Sequence, residues 1–481
     1  MKNGFRNNDA FAKARKSLSE IFNHYSFVVL DRFPSAGRTA YNNLEELRPL
    51  ISAGYYEPWS YLGLQNTINL ESESNYRDAK QKHKWTAQIL KEVESKIKET
   101  GKKPAISVWF SSKATKELSD KLGGIEIAIP EDARSHLENK SNLNDILLAA
   151  GVSKSLIINA INSDGDTPPY QTLQKRFGNV FVMQNHQSSG GKGTHFIRSE
   201  KDFMKAKLLS NNWKISEYKS GFSSNVTILT LPDENGGCSV YVDVPSHKGS
   251  NSPEQGIIEG KSAGNEWSQE ISETFMLDII DAAIKVGQYA FQKHGLVGIW
   301  GMDLILSPDG IKVNEINPRL QGTTEVSAIN QTTRGLPPFI AAHVVHFCGG
   351  KVDWMPSQND FNNETLQIAT KQRVAPFYIK IRNTSDKDIL QNISNGSGIY
   401  KISTDTGNLI WLRDGASAEQ AKLSAGEILL ANIPSNNVLC AAGAELGTIE
   451  GMTKEKLFSE TGGLTPLGKK VVKTVKKHFG I

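Results

Sequence analysis

The sequence predicts a mixed α/β fold in three parts, and three observations predict it. The chain has 481 residues, too many for one ordinary core and suited to about three domains. Over residues 1–135 short apolar runs alternate with amphipathic stretches, the pattern of a parallel sheet under helical cover. From residue 351 to 481 short strand candidates spaced by turns suggest a small β-rich domain ending in a basic helix. Residues 136–350, between them, carry the motifs.

Composition narrows the function. The chain is 38% hydrophobic and 22% charged, as in globular proteins. A net charge of +4 and the lack of an arginine-rich arm argue against nucleic acid. No apolar run approaches the length of a bilayer span. The first residues, MKNGFRNNDAFAKARKSL, lack the apolar core of a secretory leader. Cys238, Cys348 and Cys440 are far apart and odd in number. They form no disulfide framework or zinc spacing and fit a reducing cytosol, so a cytoplasmic protein is expected.

In the first part, Phe27–Asp31 reads as a buried strand and Thr39–Leu50 as a helix with Leu44, Leu47 and Leu50 on one stripe. A long polar helix is expected over Tyr76–Lys98. Strands follow at Ala105–Phe110 and Ile125–Pro130, with a helix at Lys113–Leu122 between them. The loop carrying Arg32 and Arg38 follows the first strand, where open α/β sheets hold ligands; surface solvation is the commoner role for each arginine. No GxGxxG follows any strand, which disfavours a dinucleotide fold.

In the middle part, Ser141 is placed to cap a helix through Leu143, Ile146 and Leu147 to Ala150, closed by Gly151. Lys140 stands just before that cap. The segment Val180–Arg198 reads as two strands around a glycine-rich turn, Ser188–Thr194. Such a turn lets backbone N–H groups converge on an anion, and Lys192 adds a point charge. It is not a Walker A loop: His186 and Gly193 occupy the places of the required Gly and Ser/Thr. A plain hairpin tip fits this segment equally well. Further strands are expected at Lys214–Lys219, Val226–Leu231 and Ser239–Val244. Pro245–Trp267 is polar and reads as a long loop or lid carrying His247, Lys248 and Lys261. Glu270–His294 is an amphipathic helix.

That helix leads into GIWGMDLILSPDGIKVNEINPRLQ, Gly298–Gln321. Two strand-like runs flank Pro308-Asp309-Gly310, which suits a three-residue hairpin loop pairing Ser307 with Ile311. Asp303 then falls opposite Glu315, about 5 Å apart at Cβ, and Asn317 shares their face. Opposed carboxylates repel, so a cation between them is the natural reading, and oxygen donors suit Mg²⁺. Arg319 adds a planar fork for a carboxylate or phosphate. An exposed hairpin with incidental acids is the bland alternative. Beyond it, Gln321–Gly335 reads as polar loop and Pro337–Phe347 as a closing helix. Strand candidates follow at Gln367–Ile368, Phe377–Ile381, Gly398–Lys401, Leu409–Leu412, Glu427–Ala431 and Val438–Ala442.

In chain order these pieces resemble the ATP-grasp superfamily of carboxylate–amine ligases. The specific part is Asp303 with Glu315-Ile316-Asn317-Pro318-Arg319. The likeness spans residues 136–345, and residues 1–135 resemble a pre-ATP-grasp domain. The resemblance implies that Lys140 contacts a phosphate and that Gly190, Gly191, Lys192 and Gly193 form a mobile loop over the nucleotide phosphates. It implies that the backbone of Ser216, Glu217 and Tyr218 reads adenine. Asp303, Glu315 and Asn317 become the Mg²⁺ ligands, with Mn²⁺ as a substitute. Arg319 steadies the acceptor carboxylate or the phosphoryl group. Two places depart from the pattern. Gln184 stands where many members carry a lysine before the glycine-rich loop, leaving Lys192 to supply that charge. Gly221 is followed by Phe222-Ser223-Ser224-Asn225 where many carry Gly-x-Glu.

The implied reaction joins a carboxylate to an amine, with amino acids or peptides as partners, and consumes ATP through an acyl phosphate. Two rivals stand beside it: an ATP-grasp enzyme with a carbon dioxide or thiol acceptor, and a nucleotide-binding protein without catalysis. The sequence leaves open an oligomer and the identity of both substrates.

Overall fold

The structure, a computed structural model, describes residues 8–31, 38–56, 60–78, 87–188, 191, 193–393, 395–403 and 407–481. Arg32, Gly190 and Lys192 lie outside them. The fold is a mixed α/β architecture built on three main sheets among the described residues.

The first sheet is parallel, in the order Asn66–Asn69, Ile51–Gly54, Tyr25–Leu30, Lys103–Val108, Ile125–Ile127. Its strands are near-continuous apolar runs, as burial on both faces demands. Of the helix expected over Tyr76–Lys98, the described part is Ala87–Thr100. Tyr76–Arg77 is instead a short strand pairing with Leu439–Cys440.

The second sheet is antiparallel, in the order Ala160–Asp164, Asn212–Glu217, Phe181–Asn185, Thr194–Ile197. Phe181, Met183, Trp213 and Ile215 bury one face against Leu173, Phe177 and Phe203. Strand alternation turns Val182, Gln184, Lys214 and Ser216 to the other face.

Among the described residues the third sheet has eleven strands. The hairpin Gly298–Ser307/Gly310–Asn317 forms one end, and Phe222–Pro232 pairs beside it. Ser246–Gly249 and Gly264–Glu266 come next, then Ala375–Arg382, Glu445–Thr453 and the remaining C-terminal strands. The C-terminal strands thus extend the sheet that carries the hairpin. Trp300, Met302 and Leu304 pack against Met276, Ile279, Ala283 and Val286 of the helix Glu273–His294. That helix is capped by Ser272, whose hydroxyl accepts from the Phe275 N–H, and stops at left-handed Gly295. With the even-numbered strand residues in the core, Gly301 and Asp303 face the opposite side.

Three expectations change. Pro245–Trp267 is not an open loop: Ser246–Gly249 and Gly264–Glu266 are sheet strands, because their partners lie far along the chain. Gln321–Gly335 contains the helix Thr324–Thr333, whose polar Ser327, Asn330 and Gln331 are buried. Gln367–Ile368 belongs to the helix Gln358–Ala369, capped by Ser357. The C-terminal helix Pro466–Phe479 buries Val471, Val472 and Val475 on its own neighbours and leaves Lys469, Lys470, Lys473 and Lys477 exposed. No described helix is long and apolar enough to cross a membrane. All three cysteines are free.

Candidate active site

The hairpin sets one wall of the site. Its loop is one residue shorter than expected, pairing Ser307 with Gly310 instead of Ile311, and Gly310 takes φ +115°. A bulge at Asn314, between the Leu304–Val313 and Asp303–Glu315 pairs, absorbs the slip. Asp303 therefore still stands opposite Glu315, and Asn317 opposite Gly301. Gly301 has no Cβ to obstruct Gln321, which packs over it.

Each carboxylate is matched by a lysine. Lys248 Nζ donates to Asp303 Oδ2 at 2.8 Å, and Lys140 Nζ donates to Glu315 Oε1 at 2.8 Å. Asn225 Nδ2 donates to Asp303 Oδ1 at 2.6 Å and to Gln321 Oε1 at 2.6 Å, while its Oδ1 accepts from Thr323. Burial alone would raise the Asp303 pKa; the charge and hydrogen bond of Lys248, with Asn225 and Arg319, hold it below its ordinary value. Burial would lower that of Lys248, and Asp303 more than reverses this.

These groups fit a hard cation. Among the described residues no cluster of three or more His, Cys, Asp or Glu occurs. The donor set is two carboxylates and the Asn317 amide oxygen, an all-oxygen set of the kind that holds Mg²⁺ together with phosphates and water.

The four-stranded sheet sets the facing wall. Val182, Gln184 and Ser216 line a cavity of about 670 Å³, which also reaches Asp303, Glu315, Asn317, Arg319, Lys140, Glu217 and Tyr218. Gln184 donates weakly to Thr194 Oγ1 at 3.4 Å. Lys140 also donates to the Ser188 carbonyl at 2.8 Å, tying it to the glycine-rich turn. Gly191, at φ +71°, sits against Gly260, where a Cβ would come within 2.6 Å of the Gly260 carbonyl. A Cβ on Gly193 would meet Ser188 at 2.5 Å. Glu217 closes the end of its strand, its N–H donating to the Asn159 carbonyl at 3.1 Å and its Oε1 accepting from Asn159 N–H at 3.2 Å. The Tyr218 ring meets Phe196 edge-on.

Arg319 is held in place: Nε donates to Glu138 at 2.8 Å and Nη2 to Asn317 Oδ1 at 2.8 Å. Burial would raise the Glu138 carboxyl, but Arg319 and Arg134 keep it below its ordinary pKa. Arg38 and Arg334 differ from it. Arg38 is buried between Glu325 and Glu450, at 2.5 Å from the latter. Burial nevertheless pushes the Glu325 carboxyl up to about 8. Arg334 lies over the Phe361 ring and pairs with Glu364 at 2.7 Å, which makes it structural.

Sequence reasoning missed Asn225 and Glu138 as members of the site, passed over Lys214 buried on the strand beside Gln184, and left Lys248 on a mobile loop. Period-2 alternation marks the faces of Lys214 and Asn225. The strands they pair with are distant in sequence, so no local signal joins them to the cavity.

Residues 160–334 match the family model of the ATP-grasp domain. The chain carries an ATP-grasp domain, and its fold is that of ATP-grasp proteins. Three solved structures illustrate the likeness. One is the biotin carboxylase domain of Hydrogenobacter thermophilus 2-oxoglutarate carboxylase, crystallised with MgADP and bicarbonate (TM-score 0.53, 13% identity, 90% of this chain and 87% of that one). Another is N5-carboxyaminoimidazole synthase of Aspergillus clavatus with ADP and 5-aminoimidazole ribonucleotide (0.54, 12%, 94% and 98%). The third is L-amino acid ligase of Bacillus licheniformis (0.50, 10%, 90% and 94%). At these identities the likeness establishes the fold. No curated protein sequence matches the chain.

Proposed function

We propose that the protein is an ATP- and Mg²⁺-dependent carboxylate–amine ligase that forms an amide or peptide bond through an acyl phosphate, releasing ADP and phosphate. One observation carries this reading: Asp303 opposite Glu315, with Asn317 and the fixed Arg319, on the wall of a cavity whose facing wall holds Lys140 and the Ser216–Tyr218 edge. In this reading 1–135, 136–350 and 351–481 are the three domains of a cytoplasmic enzyme acting on small molecules.

A carboxylate is a poor electrophile at neutral pH. Transfer of the γ-phosphoryl group turns it into an acyl phosphate with a good leaving group, after which an amine attacks. Mg²⁺, when held by Asp303, Glu315 and Asn317, would offset charge on the phosphates. Lys140 and the glycine-rich turn, including Gly190 and Lys192, hold phosphate oxygens. The Ser216–Tyr218 backbone meets the base. Arg319, aimed by Glu138, steadies the acceptor carboxylate or the transferring phosphoryl group. Beyond the metal wall the cavity is lined by Glu325 and Glu450, which Arg38 already bridges, and by Glu445. Gly191 packs on Gly260, so the turn and the 245–267 segment exclude water together.

Nucleotide products formed from MgATP with pooled amino acids test the reading. ADP and phosphate that appear only with a pool are expected. AMP and pyrophosphate would overturn the acyl-phosphate mechanism, and ADP release driven by bicarbonate alone would replace the amine ligase with a carboxylase.

A further inference from the structure

We infer that Lys214 binds the phosphates of the nucleotide, reaching them from the Asn212–Glu217 strand beside the neutral Gln184. The inference rests on the reading that the cavity takes ATP, and it adds a residue that neither the motif nor the glycine-rich turn supplies.

Lys214 is directly opposite Gln184 in the strand pair, and Ser216 opposite Val182. Directly opposed residues of antiparallel strands share a face. Val182, Gln184 and Ser216 line the cavity, while Trp213 and Ile215 fill the core behind. Lys214 is therefore on the cavity side, yet it is only 1% exposed. Its ammonium has no hydrogen-bond partner among the described residues. Lys140 and Lys248 each have a carboxylate at 2.8 Å. Glu315 attracts Lys214 through space, but Lys140 already holds its Oε1 and itself repels Lys214.

A lysine ammonium carries three donors and no acceptor. Burying it with none satisfied is costly. The groups around it cannot remove that cost, because Gln184 is neutral and Glu315 is shared. A nucleoside di- or triphosphate brings several negative oxygens into this wall and satisfies both the charge and the donors. Burial, and then Lys140, lower the Lys214 pKa to about 8, as expected of a cation that still needs an anion.

Two variants test this: Lys214→Met, and the exchange Lys214→Gln with Gln184→Lys, which moves the charge across the strand pair. The measurement is calorimetric binding of MgADP and of adenosine to the full chain. Lys214→Met is expected to melt no lower than the wild type, to lose at least tenfold in MgADP affinity and to keep its adenosine affinity; tenfold corresponds to about 1.4 kcal/mol. The exchange variant is expected to bind MgADP more tightly than Lys214→Met. Unchanged MgADP affinity in Lys214→Met, or an equal loss for adenosine, would overturn the assignment. Should Lys214→Met not fold, the exchange variant decides alone: MgADP affinity within a factor of about ten of wild type supports the role, and an equal weakening of adenosine refutes it. A wild-type protein that binds neither ligand would sink the nucleotide site itself, a result distinct from failure of Lys214 alone.

Discussion

The two walls of the cleft treat buried charge in opposite ways. On the large sheet Asp303 and Glu315 stand face to face, and the protein neutralises each with a lysine drawn from another segment. On the four-stranded sheet Lys214 stands beside a neutral glutamine with no hydrogen-bond partner among the described residues. The first wall is balanced internally and can trade partners; the second has a charge to offer. When a cation takes the carboxylates, Lys140 and Lys248 lose their partners and need new anions. Metal and nucleotide should therefore bind together: a metal ion alone leaves two lysines stranded, and a polyphosphate arriving with it gives them acceptors.

The largest effect should come from the acid wall. Asp303→Asn keeps the hydrogen-bonding shape but removes the charge, and turnover of ATP should fall by about 10²–10³-fold, the scale for losing one preorganised charge-stabilising group. Steady-state ADP release measures it, and turnover at the wild-type rate would remove the metal assignment. Asp303→Ala is a poorer probe. It strands Lys248, and breaking a buried pair costs about 3–5 kcal/mol of stability.

The acid wall was legible because it is local. A single turn brings Asp303 to Glu315, and the bulge at Asn314 corrects a slip that turn chemistry alone did not reveal. The helix Glu273–His294 was legible for the same reason: its cap, apolar stripe and terminal glycine are contiguous. The segment 245–267 was not. Its polar residues look like a loop, yet Asn265 is buried, donating to Ser246 and accepting from Tyr378, and Glu266 accepts from the Leu457 and Phe458 N–H groups. Polar residues satisfied by distant partners read as exposed in a one-dimensional pattern. Lys214 hid in the same way, since a lysine on a strand edge is ordinarily solvated.

Acid and alkali should separate the two walls. Burial holds His343 neutral with a pKa near about 3 and His247 near about 4. His343 Nδ1 accepts the Ile299 N–H at 3.1 Å at the start of the Asp303 strand, and His247 packs on Phe222. The unfolded chain binds these protons near pH 6.5 and the folded chain does not. The histidines' share of stability is therefore full above pH 6.5 and falls as pH drops toward 4, by up to about 1.4 kcal/mol per pH unit for each, while the raised carboxyls of Glu325 and Glu266 act in the opposite sense. Denaturant unfolding of wild type and His343→Gln at pH 7, 6 and 5 isolates this share: the loss of stability on acidification should be smaller in the variant by one histidine's contribution. An unchanged slope would clear His343 of the role.

The alkaline effect of Lys214 is smaller, the share of a single group, and is read as a difference between two proteins because the raised thiols of Cys238, Cys348 and Cys440 titrate in both. The folded-state pKa of Lys214, about 8, lies below its unfolded value of 10.5. Between those values the unfolded chain holds the extra proton, so the penalty is fully present below pH 8 and lifts as pH rises. The gain is at most about 1.4 kcal/mol per pH unit. The difference in unfolding free energy between wild type and Lys214→Met should shrink across this window. A constant difference would mean that Lys214 already has its counter-charge.

The smallest effect should fall on the turn that joins the walls. Gly191 adopts φ +71° and leaves room for the Gly260 carbonyl. In Gly191→Ala a side chain in left-handed backbone costs about 1–2 kcal/mol, and the 2.6 Å approach to Gly260 forces one segment away from the other. Gly260 belongs to the segment that delivers Lys248 to Asp303, so the disturbance reaches both walls at once. MgADP affinity should fall modestly while the global unfolding transition barely moves, because the turn lies at the edge of the sheet. Equal losses in affinity and in global stability would show that the turn belongs to the core of its sheet and that the two walls form one rigid unit.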